Sequence, residues 1–284
     1  MNPLAVPGQT SAGQATAPEA KSTQPLLRRV WRLPALRVLA PPIVLLAVGV
    51  ALWQLLVTLK HVDSQIFPGP WLVARATWDD RTDLWPAIAA TTVEAVLGLA
   101  VAIVVALVTA VVIDTWVPVR RSLYPLIVAS QTIPMIALAP LVLIWWGFGL
   151  LPKVVLVALF SFFPIAVGLV QGLNSTDPDT LNLLRTMRAS RRQLLLRVKL
   201  PSSLPQFFTG LKISVTYAYT AAIVAEFVGA EQGLGLYMYT AAHAAPVETD
   251  LVFGSIIVVA LLTIVLFLLV GLAERVAMPW RPQR

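Results

Sequence analysis

Long apolar runs separated by short polar segments dominate the chain. A helix needs about 20 apolar residues to cross the hydrocarbon core of a membrane. Runs approaching this length occur at about residues 39–59, 87–113, 123–148, 152–173, 204–228 and 251–273. The pattern therefore predicts an all-α, polytopic membrane protein with six transmembrane helices.

The two ends of the chain are polar and predict tails. The N-terminal stretch is rich in Ala, Pro, Gln, Ser, Thr and Gly, a composition typical of disorder. We expect a largely disordered N-terminal tail over residues 1–38, a transmembrane domain over residues 39–275, and a C-terminal tail over residues 276–284.

Composition supports a membrane environment and argues against catalytic, metal-binding and cofactor-binding functions. Hydrophobic residues make up 58% of the chain and charged residues 12%, against roughly 25% charged residues in a soluble domain. The mean hydropathy is +0.80. The chain contains no cysteine, and its two histidines, His61 and His243, lie outside the predicted spans. We therefore predict no catalytic residues, no metal site and no bound cofactor.

The basic residues predict the orientation in the membrane. If both termini are cytoplasmic, 17 of the 21 lysines and arginines fall on the inner side, as the positive-inside rule requires. We expect a multi-pass protein of the cytoplasmic membrane with both termini in the cytoplasm. The net charge of +7 then needs no nucleic-acid partner to explain it.

The polar segment at residues 174–205 predicts two short helices on the cytoplasmic side. Asp177, followed by a proline, is typical of a helix start, and Ser190 with Gln193 forms a capping-box pattern for a second helix. We expect a bend near Arg188 and an end of the second helix near Pro201. The alternative is one amphipathic helix lying on anionic headgroups, since the segment carries six basic residues.

Several motifs give the chain a family resemblance. They are Ser-Thr-Asp-Pro at 175–178, Ala-Ser-Arg at 189–191, Leu-Pro at 200–201 and Gly-Leu-Gly at 233–235. With these motifs placed among the fourth and later spans, the chain resembles the permease subunit of a binding-protein-dependent ABC importer. Within that family it resembles the group that takes up nitrate, sulfonates, taurine and thiamine precursors.

Further stretches resemble one branch of that group. These are Ala-Ser-Gln-Thr-Ile-Pro at 129–134, Ala-Leu-Ala-Pro at 137–140, Ala-Glu-Arg at 273–275 and Pro-Trp-Arg at 279–281. They look closest to permeases linked to the hydroxymethylpyrimidine precursor of thiamine.

The resemblance implies a fold, a function and partners. It implies a type I ABC importer permease that moves a small polar solute inward, with a thiamine pyrimidine precursor as one candidate and a sulfonate, taurine or nitrate as the alternative. It also implies a homodimer, two ABC ATPase subunits that hydrolyse ATP, an extracytoplasmic substrate-binding protein and surrounding membrane lipid. The permease itself is then not an enzyme.

The resemblance also carries over to the polar loop, with departures. The family motif reads Glu-Ala-Ala, then a glycine, then Leu-Pro; here Asn182, Leu183 and Leu184 stand at the first three positions, and Arg188 replaces the glycine. The divergence suggests a dedicated ATPase. The predicted ATPase-coupling residues, with leucines and methionine as buried anchors, are Asn182, Leu183, Leu184, Met187, Arg188, Ala189 and Ser190.

Polar residues inside the predicted spans suggest a translocation path. A charged Glu94 at membrane depth is costly, which favours a pore-facing or hydrogen-bonded role; the alternative is a bond to the neighbouring span at Gln131 and Thr132. Glu226 lies at the outer end of the fifth span, where an interface residue reached by water is favoured over a pore-facing role. The full set of predicted path residues is Glu94, Gln131, Thr132, Pro134, Tyr219 and Glu226, with helix packing as the alternative for the tyrosine.

The segments between spans on the outer side predict a surface for the binding protein. Residues 67–70 precede an amphipathic stretch through Trp71 and Trp78, and Asp79, Asp80 and Asp83 follow it as an acidic rim. A basic patch on a binding protein would complement this rim. The alternative is a solvated loop. A second outer helix is predicted after the Gly-Leu-Gly motif, over residues 237–242.

Other functions fit the residues less well. An intramembrane hydrolase needs a nucleophile with a base at membrane depth, and the predicted spans contain no histidine. A proton-coupled carrier would use the buried Glu94 as a proton site, but that function does not require the arginine-rich cytoplasmic loop. A membrane scaffold leaves the polar, proline-rich third span unexplained.

Overall fold

A computed structural model describes residues 34–60, 62–130 and 132–280. The described residues form helices and connecting turns, with no strand among them. Most of the predicted N-terminal tail, the end of the C-terminal tail, His61 and Gln131 lie outside them. The helices are α1 Pro34–Lys60, α2 Pro70–Asp79, α3 Arg81–Thr115, α4 Val117–Ser130, α5 Met135–Trp146, α6 Leu150–Asn174, α7 Pro178–Thr186, α8 Arg191–Leu194, α9 Leu200–Gly229, α10 Leu234–His243 and α11 Thr249–Ala277; a π-helical turn, Leu195–Lys199, joins α8 to α9.

Five helical segments are long and apolar enough to cross a membrane, and they match five of the six predicted spans. They are Ala40–Lys60, Arg81–Thr115, Leu150–Asn174, Arg191–Gly229 and Thr249–Ala277. The prediction of an all-α, multi-spanning protein is confirmed. The chain divides into a unit ending at Leu52 and a larger unit from Trp53 onward, and the larger unit carries every feature described below.

The third predicted span is not a single helix. It is divided into α4 and α5, and the apolar part of α5, Ile136–Trp146, is a shorter helix. Pro134 adopts an extended conformation (φ −66°, ψ 121°), and a proline disfavours helical geometry at the residue before it. The hydroxyls of Ser130 and Thr132 donate to the carbonyls of Ile127 and Ala129. Local hydrogen bonds and the proline therefore end α4 before α5 begins.

Helix α6 is the centre of the packed core, with α9 on one side and α3 on the other. Small residues line these contacts, because membrane helices gain stability from close van der Waals packing. On α3 the buried positions include Ala95, Gly98, Ala102, Ala106 and Ala110. A Cβ on Gly168 of α6 would lie 2.5 Å from the carbonyl oxygen of Gln206 on α9. The two helices therefore touch backbone to backbone.

We expect Gly168→Ala to destabilise the protein by about 1–3 kcal/mol, because an overpacked contact must be relieved by a backbone shift. The matched control is Gly271→Ala on α11, where the nearest neighbouring atom lies 4.0 Å from the added Cβ. The measurement is thermal unfolding of both variants in detergent. Equal unfolding temperatures for the two variants would contradict the close packing of α6 on α9.

Candidate functional site

The polar loop between α6 and α9 begins with the predicted helix cap. The Asp177 carboxylate accepts hydrogen bonds from the Thr180 hydroxyl at 2.9 Å and from the amides of Asp179 and Thr180 at 3.2 Å. These bonds, the one from the Thr180 hydroxyl first, hold the pKa of the Asp177 carboxyl below its usual value. Pro178 is the first helical residue. The predicted start of α7 is therefore confirmed.

The predicted bend also forms, at Arg188. This residue has φ 62°, in the left-handed region that side chains other than glycine adopt at a cost of roughly 1–2 kcal/mol. The amide of Ala189 donates to the carbonyl of Leu184 at 3.0 Å, which closes the end of α7. Ser190 and Gln193 then form a reciprocal capping box, with bonds of 3.3 and 2.8 Å, that starts α8.

The prediction that the second helix ends near Pro201 is wrong. Helix α8, the π-helical turn and α9 form one continuous helical run, and the Leu200 amide donates to the Leu195 carbonyl five residues earlier. A proline lacks an amide proton and crowds the carbonyl four residues before it. The wider turn accommodates Pro201 without ending the helix.

Helix α7 buries none of its residues and presents an apolar face. Leu183 is 62% exposed and Met187 is 71% exposed, and their spacing of four residues places them on the same face. Leu184 and Ala189 are half-buried, whereas Asn182, Arg188 and Ser190 are exposed. We call the exposed pair Leu183 and Met187 the apolar knob.

A buried ion pair joins α3 to α6. The Lys153 ammonium donates to Glu94 Oε1 at 2.6 Å, and the two side chains are only 7% and 4% exposed. Lys153 is the second residue of the predicted fourth span, 152–173, and the partners considered for Glu94 from the sequence were Gln131 and Thr132, not Lys153. Thr132 is instead exposed and bonded to its own helix end. Glu94 therefore has its partner within the core.

Glu226 is also buried, rather than reached by water. It is 1% exposed and accepts hydrogen bonds from the Thr91 hydroxyl at 2.7 Å and from the Gly235 amide at 2.5 Å. Thr91 in turn accepts from the Leu234 amide at 2.8 Å. The Glu226 carboxylate thus connects α9 and α3 to the first turn of the outer helix α10. We call Glu226, Thr91 and the amides of residues 234 and 235 the outer latch.

A small aromatic groove opens between α6 and α9. Phe160, Phe163, Pro164 and Tyr217 line a cleft of about 90 Å³. These residues lie near the middle of their helices, and Tyr217 is 44% exposed. Tyr219 is 2% exposed and packs inside the core. The two tyrosines therefore have different surroundings.

Helices α2 and α10 correspond to the two short helices predicted for the outer side, but α10 begins at Leu234, inside the Gly-Leu-Gly motif, rather than at residue 237. The Tyr237 hydroxyl of α10 donates to the Asp80 carboxylate between α2 and α3. Burial, together with this acceptor, raises the pKa of the Tyr237 hydroxyl. Asp79 pairs with Arg75 at 3.6 Å, and His243 is exposed at the end of α10. The acidic rim as a contact for a binding protein stays a prediction.

Comparison with known proteins decides the family. Residues 98–278 match the family described as binding-protein-dependent transport system inner membrane component. The chain belongs to this family. Its members are transport subunits of the membrane, so this chain is a multi-pass membrane permease with a transport role.

Individual relatives agree with this family. The chain is 34% identical over 230 residues to a probable ABC transporter permease protein of Haemophilus influenzae, covering 81% of this chain and 93% of the relative. It is 39% identical over 188 residues to the formylaminopyrimidine transport permease protein ThiX of Halalkalibacterium halodurans, covering 66% and 74%. It is 30% identical over 261 residues to the taurine transport system permease protein TauC of Escherichia coli, covering 89% and 94%.

A solved structure supports the fold. The MetNI methionine ABC transporter in an inward-facing conformation matches with a TM-score of 0.54 and 21% identity, covering 76% of this chain and 99% of that chain. At this identity the similarity shows a shared fold. The expected importer permease fold is therefore confirmed.

The predicted path residues of this family member do not form one cluster. Glu94, Tyr219 and Glu226 are buried in the core. Thr132 and Pro134 are exposed at the break between α4 and α5. Thr91 and Lys153 were not identified from the sequence as the partners of Glu226 and Glu94. The signal for the ion pair was a lone lysine in the first turn of one span and a lone glutamate in another.

Proposed function

We propose that the chain is the permease subunit of an ATP-driven importer and works as a homodimer with two ATPase subunits and a binding protein outside the membrane. The apolar knob is the observation that carries this proposal. Leu183 and Met187 are large apolar side chains, each more than 60% exposed, on a helix that buries none of its residues. Such side chains are typical anchors of a protein interface, with the surrounding arginines at its rim.

The helix after the loop offers a mechanical connection between partners. The run Arg191–Gly229 is 39 residues long, about 58 Å at 1.5 Å per residue. Its first turn follows the apolar knob, and Glu226 near its far end holds α10 through the outer latch. We propose that closure of the ATPases moves this helix as a unit and alters the outer surface where a binding protein delivers its substrate.

The aromatic groove is our candidate for the substrate path, and it favours a flat heterocycle. The exposed ring of Tyr217 and the partly exposed rings of Phe160 and Phe163 suit stacking with an aromatic ring. A sulfonate needs a cation instead, and the two lysines within α6 and α9 are each paired, Lys153 with Glu94 and Lys212 with Glu274. We therefore propose a pyrimidine precursor of the kind that ThiX is named for, and treat sulfonates and taurine as the competing substrates.

We expect a pyrimidine-loaded binding protein to stimulate ATP hydrolysis in proteoliposomes that hold the permease and its ATPase. The panel is hydroxymethylpyrimidine, formylaminopyrimidine, taurine, an alkanesulfonate and nitrate. Tyr217→Ala is expected to lower pyrimidine uptake about 2- to 10-fold, since an aromatic pair contributes about 0.5–1.5 kcal/mol. Tyr217→Phe keeps the ring and is the matched control. Stimulation by sulfonates alone would exclude the heterocycle proposal.

A further inference from the structure

A basic cleft lies beside the polar loop and is not used by the proposed mechanism. It has a volume of about 530 Å³ and lies between the C-terminal end of α3 and the helices α7 and α8. Its polar lining consists of Thr115, the Asp114–Lys199 pair, and the three arginines Arg185, Arg191 and Arg192. We call this feature the arginine cleft.

The described residues leave the arginine cleft with an excess of positive charge. Lys199 is neutralised by Asp114 at 2.6 Å, but none of the three arginines has a carboxylate partner within the described residues. Arg185 donates to the side-chain oxygen of Asn182, at 3.2 Å. Three guanidinium groups around one cleft favour a bound anion, and their forked donors match the oxygens of a phosphate group.

The position of the cleft identifies the source of that phosphate. Thr115 is the last residue of α3, a membrane-spanning helix, and Trp116 follows it with 63% exposure. Exposed tryptophans at span ends are typical of the membrane interface. Val112, one turn before the end of α3, is 41% exposed and apolar. These two exposed apolar residues at the end of α3 favour a position of the cleft at the level of the lipid headgroups.

We propose that the arginine cleft binds the headgroup of an anionic lipid of the cytoplasmic leaflet. The inference rests on the proposed orientation of the chain. Arg185 and Leu183 are two residues apart and so lie on different faces of α7, which allows the lipid and an ATPase to bind at the same time. A lipid held between α3 and α7 would stabilise the loop in the position that an ATPase meets.

The test uses the full chain in nanodiscs of phosphatidylcholine with increasing phosphatidylglycerol, and native mass spectrometry counts the retained phosphatidylglycerol. The double variant Arg191→Gln, Arg192→Gln is expected to weaken retention about 25-fold, since each of the two basic residues near an anionic surface contributes about a factor of five. Arg197→Gln is the control, compared per charge removed because it removes one charge per protomer and the double variant removes two; Arg197 is exposed on the same segment and lies outside the cleft.

Three outcomes would overturn the proposal. Equal loss of lipid from Arg197→Gln would mean that general surface charge, rather than the cleft, retains the lipid. Displacement of the lipid by millimolar inorganic phosphate would mean that the cleft binds a soluble phosphate ligand. Unchanged retention in the double variant would show that the arginine cleft does not bind the lipid. Lipid retention needs no ATPase and no substrate, so its failure is distinct from a failure of the importer function, which appears as absent ATP-driven uptake.

Discussion

Leu183→Asp is expected to weaken binding of the ATPase subunits at least about 30-fold and to abolish ATP-driven uptake. The reason is that a central apolar anchor of a protein interface typically contributes 2 kcal/mol or more, and a carboxylate in its place must be desolvated without a partner. Leu183 is 62% exposed on α7, so the substitution does not disturb the core. The measurement is co-purification of ATPase with permease, followed by uptake in proteoliposomes.

Two controls separate docking from general damage. Leu183→Met keeps an apolar side chain of similar size and is expected to retain binding. Val276→Asp adds the same charge at the C-terminal end of α11, where Val276 is 75% exposed, and is expected to retain binding as well. If Leu183→Asp binds the ATPase as tightly as these two variants, the apolar knob is not the docking site.

Lys153→Met is expected to reduce the stability of the fold by about 3–5 kcal/mol, because it leaves the Glu94 carboxylate buried and unpaired. The two side chains are 7% and 4% exposed and form a bond of 2.6 Å, so water cannot replace the lost partner without opening the core. The measurement is the unfolding temperature and yield of the variant in detergent, relative to the unmodified chain.

The double variant Glu94→Gln, Lys153→Met tests whether the pair acts as a unit. Removal of both charges is expected to recover most of the lost stability, because a neutral pair avoids the desolvation of two buried ions. Additive losses would show that the two residues act independently. Glu94→Gln also tests the proton-carrier hypothesis: normal expression with unchanged transport would remove Glu94 from the transport mechanism.

Much of the fold follows from local features of the sequence. Five of the six predicted spans match membrane-length helices, because the burial of apolar side chains in lipid depends mainly on a continuous run of about 20 residues. The caps at Asp177 and Ser190 were predicted because each involves a side chain and amides within three residues. The third span differed because hydropathy does not register the turn that Thr132 and Pro134 form.

The buried contacts were harder to predict because they join distant parts of the chain. Glu94 and Lys153 are 59 residues apart, and Thr91 and Glu226 are 135 residues apart. The sequence showed that a buried carboxylate needs a partner, but many partners satisfied that requirement equally. The continuation of the helix through Pro201 was missed for a related reason, since a π-helical turn has no clear sequence signal.

The most direct test of the central claim is substrate uptake by proteoliposomes that contain the permease, its ATPase and its binding protein. We expect uptake to require ATP hydrolysis and to continue when an ionophore collapses the proton gradient. Uptake that stops with the ionophore and proceeds without ATP would contradict the importer function and favour a proton-coupled carrier built on Glu94.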